Sequence, residues 1–188
     1  MVLACTVAYL ATLVRAQAPL NPPTQPGEDR IIQDFQARVS HYVEQRRKLA
    51  GNSPKPTTSS EKLDTAQQEL ARKSQVTRSQ SERGDIFSPE IAAYLRRQIA
   101  ATLAGPQGRR IRSSLHRAEP IQDVPLHVNQ VYPQKLPLQS TPPSLLLNLP
   151  PLPKELQYRI VGRNLVLLDV TPKLIVDFVP SAIPSDKD

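Results

Sequence analysis

The sequence predicts an α+β fold with two to three amphipathic helices, a proline-rich extended crossing and a C-terminal three-stranded antiparallel β-meander. Three observations support this prediction. Apolar residues recur at three- and four-residue steps in the first half of the chain, and prolines recur every few residues between positions 119 and 153. Three short runs of Val, Ile and Leu, separated by turn residues, then follow between positions 158 and 179.

Length and composition limit the architecture. The chain has 188 residues, which is enough for one ordinary domain. Its core must be aliphatic, because only 4% of the residues are aromatic and there is no Trp. The 20 prolines exceed the usual share of about 5%, so much of the chain must be extended or irregular. The hydrophobic content of 39% and the net charge of +7 do not indicate full disorder.

Residues 1–18 have the pattern of an export signal. Val2 to Val14 is an apolar run of secretory length, and the Ala-Gln-Ala triplet at 16–18 fits the cleavage rule, which places the mature N-terminus at Pro19. A plain buried or interfacial N-terminal helix is the alternative. We expect export to the periplasm or the extracellular space, with no transmembrane span in the mature chain. Because Cys5 lies within the signal, the mature chain has no thiol for disulfides or catalysis.

Residues 19–27 form a proline-rich tether, and residues 28–118 form a predicted helical region. The first helix is predicted from Glu28 to Ala50, because its apolar residues form one stripe and its charges follow the order that the helix dipole favours. Ser59 or Ser60 caps a second helix that is predicted to reach about Arg83. This second helix carries a thin apolar stripe, formed by Leu63, Ala66, Leu70 and Val76.

A third helix is predicted from its end signals. Ser88 can cap it, Pro89 suits the first helical position, and Gly105 ends it. Its buried face is predicted to contain Ile91, Tyr94, Leu95, Ile99 and Leu103. Residues 108–118 can add a short fourth helix, with the apolar residues Ile111 and Leu115 facing inward.

Residues 119–153 form the proline-rich crossing, in which we predict at most one strand, near Leu126 to Val131. The apolar segment 144–153 within it has two interpretations. It can lie across the core as a covering strap, or it can serve as a polyproline ligand for a partner. The covering role is favoured, because its leucines would otherwise form an exposed apolar patch of the kind that soluble monomers avoid.

The meander region, residues 154–181, is followed by a polar tail at 182–188, and its predicted strands are Tyr158 to Val161, Leu165 to Val170 and Leu174 to Val179. A lone three-stranded sheet is marginal in water, so another element must cover it. Period-two alternation requires either Leu165 with Leu167, or Val166 with Leu168, to face that cover. The continuous aliphatic runs suggest that both faces are covered.

Several segments carry a family resemblance. GDIFSPEIAAYLRR, from Gly84 to Arg97, is followed between Pro142 and Pro184 by PPSLLLNLPPLPKELQYRIVGRNLVLLDV and LIVDFVPSAIP. These segments, together with ARVSHYVEQRRKLAG in the first helix, resemble a group of uncharacterised exported proteins that is common in acidobacteria and other soil bacteria. The resemblance covers nearly all of the mature chain. It implies an exported protein, but that group has no known activity, so it implies no role for any residue.

The sequence contains no recognisable catalytic or metal-binding constellation, and we expect no cofactor. His41, His116 and His127 lack the spacing of metal ligands. No nucleophile elbow and no phosphate-binding loop are present in the sequence. Asp169 and Asp177 have two interpretations, an acid–base pair or residues that start turns at strand ends. We favour the second interpretation.

A basic stretch is the strongest functional lead in the sequence. Between Glu90 and Glu119 it contains no acidic residue and six arginines, Arg96, Arg97, Arg109, Arg110, Arg112 and Arg117. Such a stretch can bind polyanions or anionic lipid surfaces, or it can simply be a solvated basic face. The interleaved aromatic residues of single-strand nucleic-acid binders are absent, so no sequence-specific nucleic acid is expected.

Three functional hypotheses follow from these observations. The first is an exported, non-enzymatic interaction or structural module with an unknown protein partner. The second is a binder of anionic lipid or polyanions through residues 96–117. The third is an enzyme whose site the sequence does not reveal. We favour the first hypothesis, because an export pattern is present and a catalytic constellation is not.

Overall fold

A computed structural model describes residues 26–51, 59–117, 125–133 and 139–185. The export signal and most of the tether, predicted at residues 1–27, lie outside these ranges. In chain order the helices and strands are α1 (Pro26–Ala50), α2 (Ser60–Thr77), α3 (Pro89–Ala104), α4 (Gly108–Arg117), β1 (Gln139–Ser140), α5 (Pro143–Leu146), β2 (Leu156–Val161), β3 (Asn164–Asp169) and β4 (Leu174–Val179). The α+β class predicted from the sequence is confirmed.

The C-terminal half of the chain forms the predicted antiparallel meander, in the order β2-β3-β4, and β1 adds a two-residue strand at its edge. Tyr158 of β2 lies opposite Leu167 of β3, which fixes the register of the central pair. The β2–β3 turn contains Gly162 at a φ of +57°, and the β3–β4 turn contains Lys173 at a φ of +51°. The first of these positions suits glycine, because other residues are strained at positive φ.

Both faces of the sheet are covered, as the continuous aliphatic runs predict. Leu165 and Leu167 pack with side chains of α1, α3, α4 and α5 in the main core. Val166 and Leu168 point to the opposite face and pack around Tyr132 in a smaller core. The alternation along β3 therefore supplies both layers, and neither of the two residue pairs faces solvent.

The third helix begins and ends where its signals predict, whereas the second helix is shorter than predicted. Ser88 caps α3 by accepting a hydrogen bond from the backbone N–H of Ile91. α2 ends at Thr77 instead of Arg83, because the Arg78 side chain turns into the protein interior and the following residues form turns. Within α2, Leu70 is buried but the other three predicted stripe residues are not, and the structure buries Ala71 and Ser74 in their place.

The crossing differs from the prediction in the position of its strand. The strand expected near Leu126 to Val131 is realised only as an isolated bridge between Val131 and Leu174, and the regular strand is β1. Pro143 begins a short helix, α5, because proline presets the φ of the first helical turn. Leu145 and Leu149 insert into the main core, so the segment 144–153 has the covering role that the sequence favours.

Candidate functional site

A groove lies between the covering strap and the edge of the sheet. Its volume is about 410 Å³. The strap contributes apolar walls through Leu146, Leu149 and Leu152, and the neighbouring wall is formed by Thr141 and Tyr158. The groove therefore has the size and the mainly apolar lining that binding sites for small ligands and peptide side chains share.

Two hydrogen bonds fix the spacing between the walls of this groove. The Tyr158 hydroxyl donates to the Pro150 carbonyl at 3.0 Å, which ties the strap to β2. The Thr141 hydroxyl donates to the Tyr158 carbonyl at 2.9 Å, which ties the residue after β1 to the same strand. Because both bonds are buried, the groove is preformed and does not depend on a ligand for its shape.

Arg159 carries the only charge among the described residues that line the groove. Its guanidinium donates to the Ser140 hydroxyl at 3.1 Å and to the side-chain oxygen of Gln157. Its Nε is buried and has no hydrogen-bond partner among the described residues. The groove therefore combines apolar walls with a cation whose partners in the fold are neutral groups, which favours a ligand that carries a carboxylate.

Exposed leucines extend the apolar surface beyond the groove. Leu146 is 39% exposed and Leu147 is 86% exposed, although they directly follow the fully buried Leu145 at the end of α5. Isolated exposed leucines are ordinary on protein surfaces. Two adjacent ones at the rim of an apolar groove enlarge the surface that a partner could cover.

A buried ion pair joins α1 to the sheet. Asp169 is fully buried and accepts hydrogen bonds from the Tyr42 hydroxyl at 2.8 Å and from Nε of Arg46 at 2.7 Å. Burial raises the pKa of the Asp169 carboxyl, and the bonds from Arg46 and Tyr42 oppose that rise. Asp169 also accepts from the backbone N–H of Thr171 at 3.3 Å, so the predicted turn-starting role is a minor part of what it does.

Asp177 anchors the turn that precedes α3. It is fully buried in β4, and Oδ2 accepts from the backbone N–H groups of Ile86 and Phe87 at 3.0 and 2.8 Å. Both of its oxygens lie 3.1 Å from the N–H of Gly84. Asp177 and Asp169 thus have separate sets of partners. Both carboxylates position other elements of the fold, so each does more than start a turn at a strand end.

The basic stretch lies on α3 and α4, and some of its arginines bond other parts of the fold. Arg96 donates to the Pro180 carbonyl at 3.0 Å. Arg97 forms an ion pair with Glu28 at 3.2 Å. Arg109 and Arg110 are exposed on α4, whereas Arg112 is partly buried and has a partner within the fold. The side chain of Arg117 lies outside the described part of the chain, and anion binding by the six arginines stays a prediction.

The histidines and the acidic residues form no metal centre in the described part of the chain. His41 lies on the exposed side of α1 with its Nε2 2.9 Å from the side-chain nitrogen of Gln45. His127 is exposed, and the side chain of His116 lies outside the described residues. Among the described helices none has the length and apolar content needed to cross a bilayer.

The residues that sequence reasoning missed are those of the groove and of the buried polar contacts. Arg46 lies near the basic end of α1, and its pairing with Asp169 joins residues that are 123 positions apart in the sequence. Arg159 lies in β2, and the residues next to it in the sequence do not indicate a groove. The sequence does single out Asp169 and Asp177, since each interrupts an otherwise aliphatic strand, but it does not indicate their partners. A search of protein families, of curated proteins and of solved structures finds no match to the chain.

Proposed function

We propose that this chain is an exported, non-enzymatic binding module that holds an extended segment of a partner protein in the groove between the strap and the sheet edge. The observation that carries the proposal is the preformed apolar groove that contains one cation, Arg159, without a carboxylate partner among the described residues. The ligand segment that fits it alternates aliphatic or proline side chains with a carboxylate.

The shape of the groove supports an extended ligand. The strap offers apolar contacts at Leu149, Pro150 and Leu152. The opposite side of the groove, at the sheet edge, offers the Ser140 hydroxyl and Arg159. A peptide that lies between these walls buries apolar side chains against the leucines and places an acidic side chain at the guanidinium. A bonded Arg–carboxylate pair inside a partly apolar site is also the contact that gives such binding its specificity.

Charge favours a partner of different sequence over a second copy of this chain. The net charge is +7 and the isoelectric point is about 9.8. Two copies therefore repel each other, whereas an acidic segment is attracted to the molecule as a whole and to Arg159 in particular.

The buried ionisable groups support a non-enzymatic role. A catalytic acid or base must reach a substrate, whereas Asp169 and Asp177 are fully buried and spend their oxygens on protein donors. The two aspartates stabilise the packing of α1 and of the turn before α3 on the sheet. The binding surface is therefore placed on a rigid scaffold.

The proposal is tested with a short synthetic peptide that alternates Pro, Leu and Asp, and with the same peptide carrying Asn in place of Asp. Fluorescence anisotropy measures both affinities. We expect tighter binding of the acidic peptide, and we expect R159Q to weaken it about tenfold while leaving the Asn peptide unchanged. Equal binding of the two peptides by the unmodified chain would overturn the proposed role of the cation.

The apolar part of the proposal has its own variant and a matched control. Leu146 at the groove and Leu63 on α2 are 39% and 44% exposed, so replacing either with Ser costs the fold a similar small amount. L146S should weaken both peptides, and L63S should weaken neither. If sedimentation velocity instead detects a dimer that L146S abolishes, the groove binds a second copy and the proposed partner is wrong.

The export part of the proposal is supported by the apolar run and the Ala-Gln-Ala triplet within residues 1–18. Expression in a bacterial host followed by fractionation and mass spectrometry tests it. We expect the processed chain outside the cytoplasm, with Pro19 as its first residue. An unprocessed chain that stays in the cytoplasm contradicts export and leaves the peptide-binding proposal to be judged by its own assay.

A further inference from the structure

A second cavity lies between α1, the end of α2 and the turn before α3. Its volume is about 410 Å³, and it shares no lining residue with the groove beside the strap. The side chains that line it are mostly polar or basic, and they include Arg38, His41, Gln45, Arg78, Gln80 and Ser81. Such a lining suits a small, strongly polar ligand better than an apolar one.

Two arginines and one carboxylate line this cavity. Arg38 and Arg78 carry two positive charges, and Asp85 is the only carboxylate among the lining residues. The Asp85 carboxylate accepts from the backbone N–H of Glu82 at 3.0 Å. Arg38 donates from Nε to Asp34 at 2.7 Å and from Nη1 to the Asp85 carbonyl at 2.9 Å. The charge of Arg38 is therefore paired with Asp34, and Arg78 is the cation of this lining that bonds no side-chain carboxylate of the described residues.

Arg78 is the exceptional member of this lining. The residue is only 8% exposed, and its Nη2 donates to a neutral acceptor, the Val176 carbonyl, at 3.2 Å. Its guanidinium lies 5.0 Å from the centre of the Tyr42 ring. Nη1 is buried without a hydrogen-bond partner among the described residues. Asp85, Asp169 and Asp177 stabilise the charge of Arg78 from a distance, but none of them bonds its guanidinium. A buried cation without a bonded carboxylate is costly, so a ligand that supplies an anionic oxygen in direct contact would stabilise it further.

We propose that this cavity is a binding site for a small oxyanion, either a phosphate group or a carboxylate. Arg78 is its principal ligand, and Arg38 and Gln80 contribute at the mouth. Because Nη1 is shielded, binding requires the guanidinium to turn toward the cavity, and the contacts given up are one bond to the Val176 carbonyl and the position over the Tyr42 ring. The planar guanidinium fork matches the paired oxygens of either group.

Titrations followed by heteronuclear NMR test the proposal, with inorganic phosphate in one series and succinate in another at a constant ionic strength. We expect saturable shifts of the Gln45, Gln80 and Ser81 signals in at least one series. Saturation with phosphate alone identifies a phosphate site, and saturation with succinate alone identifies a carboxylate site. Shifts that rise linearly with both anions, or no shifts at all, overturn the proposal.

Variants separate this site from general attraction to a basic protein. R78Q should weaken binding at least about tenfold, because a charge-assisted contact is lost. Since Arg78 is also buried against Tyr42, R38Q serves as a second variant at the more exposed mouth and should weaken binding several-fold. R83Q is the matched control, because Arg83 lies over the Phe178 ring and does not line the cavity. Equal weakening by R83Q and R38Q would reduce the effect to net charge and contradict the site.

Discussion

Replacing Asp177 with Asn should loosen the turn before α3 and lower the free energy of unfolding. In the native chain, Oδ2 accepts from Ile86 and Phe87, Oδ1 accepts from the N–H of Phe178 at 2.8 Å, and Gly84 is shared between the two oxygens. Asn keeps the volume of Asp but has one acceptor oxygen and no charge. The least damaging orientation retains the oxygen at Oδ2 and places the NH2 group against the Phe178 N–H.

The magnitude follows from these contacts. One partly buried donor, the Phe178 N–H, loses its acceptor at a cost of about 1–3 kcal/mol. Three remaining bonds become neutral and weaken by about 1 kcal/mol each. Asn no longer buries a charge, and this offsets part of the loss. We therefore expect the free energy of unfolding to fall by about 2–4 kcal/mol, which is a large part of the total of about 5–15 kcal/mol for a domain.

Urea denaturation measures the loss, and amide hydrogen exchange locates it. The amides of Ile86 and Phe87 should exchange at least about 30-fold faster in D177N, because their shared acceptor is weakened. D85N is the matched control, since Asp85 is exposed and an Asn oxygen can keep its bond to the Glu82 N–H. D85N should change stability by less than about 0.5 kcal/mol. If D177N is as stable as D85N and retains amide protection, the anchoring role of Asp177 is refuted.

Three further predictions concern the core, a turn and the buried ion pair. L145A should cost about 2–5 kcal/mol in urea denaturation because Leu145 is fully buried, whereas L147A at the exposed neighbouring position should cost less than about 0.5 kcal/mol. G162A should cost about 1 kcal/mol, since the φ of Gly162 is +57° but no atom stands within 4 Å of an added Cβ; a loss above about 3 kcal/mol would contradict this. Because the pKa of Asp169 is raised, the folded state binds its proton more tightly than the unfolded chain does. Its contribution to stability is therefore complete below the ordinary Asp pKa of about 3.9 and is lost as pH rises through the folded pKa. The stability of the unmodified chain relative to D169N should fall over that pH window. A rise would contradict the raised pKa of Asp169.

Local signals were sufficient to predict the elements whose partners are close in the sequence. Ser88 and Pro89 fix the start of α3 through a cap and a preset φ, and both act within one helical turn. The turn at Gly162 predicts the β2–β3 hairpin for the same reason. These interactions need no knowledge of the rest of the fold.

A bulge in β4 shows why the buried polar contacts could not be predicted. Leu167 pairs with Asp177 and Leu168 pairs with Ile175, so Val176 is an extra residue with no partner of its own in β3. Val176 packs in the main core, and the next residue, Asp177, contacts the turn before α3. Strict alternation would place Val176 and Asp177 on opposite faces of the sheet. A bulge changes the direction in which a side chain points, and this run of apolar residues contains no sequence signal for one.

Local sequence patterns do not predict the groove either. It depends on how the strap lies relative to β2, and that placement comes from bonds such as the one between Tyr158 and Pro150. The sequence favoured the strap as a cover, which is correct for Leu145 and Leu149. The same strap leaves one side open, and only the three-dimensional arrangement brings that side next to Arg159.

The bonds from α1 to the sheet have a consequence for the order in which the chain can mature. Tyr42 and its acceptor Asp169 are 127 positions apart, so α1 is synthesised long before its anchoring carboxylate exists. Contacts of such separation form slowly, because a long loop must close first. The early helices can contact one another first, but α1 lacks its bond to Asp169 until the last strands have left the ribosome. Such late folding is compatible with the export that we propose, because a translocation channel threads an unfolded polypeptide.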